Sequence, residues 1–262
     1  MPSAFTHYRF ACAVQDKLHD NLKKITEKNR DLYLIGAHGP DILFYYKALK
    51  KNEVNSLGSE IHLRPAASFL KNAEKIILES ADKECAVSYI AGFITHFVLD
   101  SSCHGYIAEK VKHGGVSHAQ IETEFDCKLM RDCKTDPLRH NPTSHIAIND
   151  KACGIIAPFF GLDAKIVKKA LIHMKKINGL LATRCVLMRG IIKLALKLTG
   201  NYEKYRGLLP NPRPDPRCEE SNKALTEIFE KNITTATEII EDYMIGIEQN
   251  LPLNSLFDRN FE

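Results

Sequence analysis

Apolar residues recur at three- and four-residue intervals along almost the whole chain, and no segment alternates apolar with polar residues as a half-buried strand does. That period admits helices and little else. It predicts them over residues 4–27, 31–35, 41–50, 60–80, 82–111, 118–132, 152–160, 163–178, 180–198 and 219–249. Ser59 ahead of Glu60 reads as a cap, and Ser117 ahead of His118, with Gln120, reads as a capping box. Loops are expected at 36–40, 105–117 and 135–144. The strongest break is "GLLPNPRPDPR", residues 207–217, with four prolines in alternate positions. Only one long helix follows it, too little for a second core, so it reads as a surface connection. The expected fold is all-α, one compact multi-helix domain over residues 1–262.

A chain of 262 residues, 44% hydrophobic and 26% charged, can bury a substantial core. Its formal charge of +4 is spread along the chain, whereas a nucleic-acid footprint would be concentrated, so nucleic acid is not the expected partner. The start, "MPSAFTHYRF", lacks the basic and apolar regions of a secretory signal, and no apolar run is long enough for a transmembrane segment. A cytoplasmic location is expected. The eight cysteines include no CxxC pair, which fits reduced thiols better than disulfides or cysteine-bound zinc.

Eleven histidines beside no tryptophan is a lopsided choice. In "ITHFVLDSSCHGY", residues 94–106, His96, Asp100 and His104 stand at i, i+4 and i+8, one row on one helix face. The next helix repeats the device with His118, Glu122 and Asp126 in "SHAQIETEFD". A short Gly-rich loop joins the two helices, so they are expected to run antiparallel with the rows facing. Three imidazoles and two or three carboxylates in one cleft suit a borderline divalent ion such as zinc. Salt-bridged polar stripes would account for Glu122 or Asp126 but not for three inward-looking histidines.

Three further positions add to the set. His7 opens the first helix, and His62 is expected in the first turn of the helix over 60–80. Asp41 follows a Gly-Pro turn ahead of an aromatic run, where a carboxylate can cap a helix or orient and deprotonate a water.

The ordered set of His7, "GPD" at Asp41, His62, "HFVLD…H" at His96, Asp100 and His104, and "H…E" at His118 and Glu122 resembles the zinc-dependent phospholipase C family. That family includes secreted phosphatidylcholine-cleaving enzymes and the catalytic domain of glycosylphosphatidylinositol-specific phospholipase D. The resemblance spans residues 6–122. It implies one zinc on His62, His96 and Asp100, a second on His104, His118 and Glu122, and a third on His7 with Asp100 as a bridge. It also implies Asp41 as the catalytic carboxylate working on the attacking water. Secreted members hold the third zinc partly through an N-terminal Trp, and this chain has none. Two tightly bound zinc ions are therefore expected, the third weak or absent. Removal of Met1 would expose the Pro2 amine, five residues before His7, as a substitute ligand.

The implied chemistry is hydrolysis of a phosphodiester, with a phospholipid head group as the substrate the family suggests. The alternatives are a nuclease-like or other non-lipid phosphodiesterase, and a non-catalytic metal-binding module. His38, just before the "GPD" turn, is expected at the surface, and His19, His113, His140, His145 and His173 are expected to be structural or surface residues.

Overall fold

The computed structural model describes residues 4–198, 200 and 202–262, and every regular element among them is helical, as the period requires. In chain order these are α1 (Ala4–Lys17), α2 (Asp20–Lys28), α3 (Arg30–Gly36), α4 (Glu53–Leu63), α5 (Ala66–Glu79), α6 (Lys83–Lys112), α7 (His118–Asp132), α8 (Asp150–Phe160), α9 (Ala164–Leu181), α10 (Val186–Leu198), the single turn α11 (Tyr202–Tyr205) and α12 (Glu219–Gln249). A 3-10 turn over Gly39–Tyr45 follows α3. Among the described residues no helix is long and apolar enough to cross a membrane.

Several expected boundaries move, each for a local reason. The run over 4–27 divides at His19, whose amide donates to Glu241 Oε1 of α12 (2.9 Å) instead of continuing α1. The run over 60–80 divides because Pro65 forces Arg64 into an extended conformation, φ −88° and ψ 155°. Its first half starts earlier than expected, at Glu53, where Asn52 and Asn55 form a reciprocal capping box. Ser59 is therefore inside α4 and caps nothing, and His62 lies in the last turn of that helix rather than the first. The helix expected over 41–50 is the tighter 3-10 turn, and the one expected over 180–198 begins only at Val186. At α7 the Ser117 hydroxyl accepts from the Gln120 amide (3.3 Å) as expected. The Gln120 side chain reaches Asp215 instead of closing the box. The Pro-rich stretch is anchored rather than free: Leu209 is buried, and Asn211 Nδ2 and the Asp215 amide both donate to the Glu124 carboxylate.

α6 is the axis. It is buried almost continuously from Cys85 to Cys103, which its nearly all-round apolar sequence demands. α12 runs antiparallel along it, as Ser102 against Asn232 and Lys110 against Glu220 show. α3 meets α6 with no side chain between them. A Cβ on Gly36 would stand closer than 3.0 Å to the Tyr89 carbonyl oxygen, and one on Gly92 closer than 3.0 Å to that of Tyr33. This approach carries the following 3-10 turn, with Asp41, onto α6 at His96. A Gly92→Ala variant must push two backbones apart, and is expected to lose about 3 kcal/mol or more of stability, the upper end of overpacking effects. A denaturant midpoint within error of the parent would refute this.

One contiguous apolar core runs from Ala4 to Phe261. The last residues close over the site: the Phe261 ring lies 5.2 Å from that of His62 and 5.9 Å from that of His96, and the Phe261 amide donates to the His62 carbonyl (3.1 Å).

Candidate metal centre

The structure brings all eight singled-out residues together, in three groups whose donor atoms each lie within 4.8 Å of one another: His7, His96 and Asp100; Asp41, His62 and His96; His104, His118 and Glu122. α6 supplies His96, Asp100 and His104 from successive turns, and α7 supplies His118 and Glu122. α1 brings His7, α4 brings His62, and the 3-10 turn brings Asp41.

Asp100 is the hub. Its Oδ1 lies 3.1 Å from His7 Nε2 and 3.9 Å from His104 Nε2, and its Oδ2 lies 3.2 Å from His96 Nε2 and 3.9 Å from His62 Nε2. Burial would raise its carboxyl pKa, but the surrounding imidazoles of His96, His104 and His7 hold it well below the usual carboxylate range. Asp41 sits closer to these donors than the sequence implied. Its Oδ1 is 3.1 Å from His62 Nε2 and its Oδ2 3.8 Å from His96 Nε2, so it shares a donor group with both. In the third group Glu122 Oε1 lies 3.0 Å from His118 Nε2 and 3.5 Å from His104 Nε2.

The donor set fits a cation because several buried atoms are left unused. His96 Nε2, Asp41 Oδ2 and Glu122 Oε2 are buried without a hydrogen-bond partner, although His96 Nε2 lies near Asp100 at poor angles. Such orphaned atoms cost stability unless something satisfies them. His62 is aimed by its other nitrogen, Nδ1, which lies 2.7 Å from the Gly58 carbonyl and so leaves Nε2 free to face the site. The groups open on a cleft of about 400 Å³ lined by Asp41, Phe44, His62, Asp100, His104 and His118. None of the eight cysteines belongs to a donor group among the described residues, and all are free thiols.

Two sequence expectations need correction. Asp126 does not continue the metal-facing row. Its carboxylate accepts from the Phe5 amide (3.0 Å), the Thr6 amide (2.7 Å) and the Thr6 hydroxyl (2.6 Å), capping the start of α1 and fixing where His7 projects. His38 is fully buried, not at the surface. Its Nε2 lies 2.8 Å from His145 Nε2, and the His145 ring stacks on Tyr8 at 4.2 Å. No local signal joins His38 to a partner 107 residues away. Gly39 was also missed: at φ +47° its absent Cβ leaves room for the His96 ring. Pro2, offered as a ligand beside His7, lies outside the described residues.

Burial pushes the His104 imidazole down, but the Asp100 and Glu122 carboxylates outweigh it and lift its pKa to about 9. A histidine raised on folding stabilises fully below its unfolded value of about 6.5, and that contribution is lost as pH climbs through the folded value. The metal-free protein is therefore expected to lose Tm from about pH 6.5 to 9. Zinc needs neutral imidazoles, so the Tm gain on adding zinc should grow over the same range. Melting curves with and without zinc test this, and a zinc-induced shift independent of pH would contradict it.

The family model described as "Zinc dependent phospholipase C" matches residues 6–179. No curated protein and no solved structure matches the chain. The match covers well over half of the 262 residues and contains every member of the three donor groups; the chain belongs to the zinc-dependent phospholipase C family.

Proposed function

We propose that this chain is a zinc-dependent phosphodiester hydrolase of phospholipase C type, with a phospholipid head group as its substrate class. One observation carries the reading: three groups of histidines and carboxylates converge on a single cleft around Asp100. His104, His118 and Glu122 would hold one ion, and His62, His96 and Asp100 another, with Asp41 beside it. With His96 committed to that ion, His7 and the shared Asp100 leave only two protein ligands for a third, fewer than a stable zinc site usually has, so that ion is weak or absent.

Bound zinc would supply Lewis acidity at the phosphoryl oxygens and a water acidified toward neutral pH. Asp41 is the proton acceptor: Oδ1 faces His62, while buried Oδ2 has no hydrogen-bond partner and is free to take the proton of an attacking water. The His62 ring stays in place through the Gly58 carbonyl at Nδ1 and the tilted rings of Phe44 and Phe261, with centroids 5.3 and 5.2 Å away. A cleft of about 400 Å³ has room for a head group.

Metal analysis coupled to a panel of phosphodiesters tests the proposal. Zinc near two per chain, with turnover abolished by chelation and restored by zinc, is the expected result. Bound zinc with no turnover on any phosphodiester would replace it with a metal-binding module, and turnover confined to nucleic acid with a nuclease.

A further inference from the structure

α10 has thirteen residues and not one of them is buried. Its sequence, VLMRGIIKLALKL, is among the most apolar in the chain, so the exposure needs a cause. Leu187, Ile191, Leu194 and Leu198 are 74, 52, 56 and 80% exposed. They stand at i, i+4, i+7 and i+11, which is one face of a helix. On the far flank of the helix from that face Arg189, Lys193 and Lys197 form a second row at four-residue steps. From residue 164 to 202 the chain carries nine Lys and Arg and no Asp or Glu.

We propose that α10 is a membrane-surface helix: its leucine–isoleucine face enters the interface of an anionic lipid layer, and Lys193 and Lys197 bind the head groups. The charge selects this occupant. A cationic row across the helix from an apolar face matches acidic head groups above acyl chains, the recognised form of a helix lying in the membrane plane. At roughly 20 Å the helix is too short to span a bilayer, so it lies on one. Arg189 is spent on structure, donating to the Thr183 and Pro210 carbonyls, and thereby ties α10 to the chain on either side.

The helix lies beyond the family-matched residues, yet both its connections reach the site. On one side α9 packs on the turn that holds Asp41, with His173 Nδ1 3.1 Å from the Tyr45 carbonyl. On the other, residues 206–217 lie against α7, where a Cβ on Gly207 would crowd Ser117 and the Gln120 amide, and Asn211 Nδ2 donates to Glu124 (2.6 Å). Docking through α10 would thus hold the site-bearing elements at the lipid. The usefulness of such docking rests on the phospholipid reading above, while the docking itself does not.

The test is flotation of the full zinc-loaded chain with vesicles of phosphatidylcholine alone or mixed with phosphatidylserine. Binding to the mixed vesicles that weakens with salt is expected. Leu194→Gln and Leu187→Gln should each weaken it about tenfold, the size expected for losing one inserted leucine. The pair Lys193→Gln and Lys197→Gln should remove the preference for phosphatidylserine. Turnover of a soluble short-chain phosphodiester should be unchanged in all of them. Absence of vesicle binding would overturn the proposal, as would a dimer that Leu194→Gln dissociates and that leaves vesicles alone. Vesicle binding without turnover on any substrate would defeat the proposed activity and leave this inference standing.

Discussion

Asp41→Asn is expected to keep the fold and the zinc content and to lose about 10²–10⁴-fold in kcat, the usual effect of removing a general base. The amide is nearly isosteric and keeps Oδ1, the oxygen 3.1 Å from His62 Nε2, as an acceptor. It replaces the free Oδ2 with a group that cannot take a proton. In energy the drop is about 3–5 kcal/mol of transition-state stabilisation. The decisive comparison is kcat against zinc stoichiometry in the same preparation. A variant with unchanged kcat would reduce Asp41 to a structural carboxylate, and one that loses turnover and metal in parallel would make it a ligand before anything else.

Asp100→Asn should behave in the opposite way, losing metal and turnover together. Asp100 faces four imidazoles, and no other carboxylate in the site touches more than two. Replacing an outer partner of a metal ligand typically costs 10–100-fold in affinity, and a direct ligand shared between groups should cost at least about 100-fold. The His104, His118 and Glu122 group does not depend on Asp100 for its closest contact and should retain its ion. A zinc titration is expected to show one tight equivalent where the parent has two. Two tight equivalents in the variant would remove Asp100 from the centre.

What the sequence made legible follows from range. His96, Asp100 and His104 belong to one unbroken helix, so a spacing of four residues was enough to place them on one face, and the same held for His118 and Glu122. The next step of that second row failed at Asp126, because helix spacing says which face a side chain shares but not what meets it. There the start of α1, some 120 residues earlier, arrives with two amides and a hydroxyl. His62 was recognised as a candidate, yet its setting was misread, since the capping signal at Asn52 uses asparagine twice and Pro65 divides the run. His38 needed His145, which no local pattern supplies. The apolar face of α10 was implicit in its period, but a sequence cannot say whether another element covers such a face.

The close approach of α3 to α6 at Gly36 and Gly92 has a consequence for how damage elsewhere would show itself. Most helix pairs are held apart by side chains, so a change of side chain shifts the helices and whatever they carry. Here main chain rests on main chain, and the separation between α3, which leads into the turn bearing Asp41, and the helix bearing His96 has no side-chain spacer to alter at Gly36 and Gly92. Lesions in the distant core would therefore reduce the number of intact molecules while leaving the rate per intact molecule alone. A failing population would be a mixture of fully competent and fully unfolded chains, with few slow ones between.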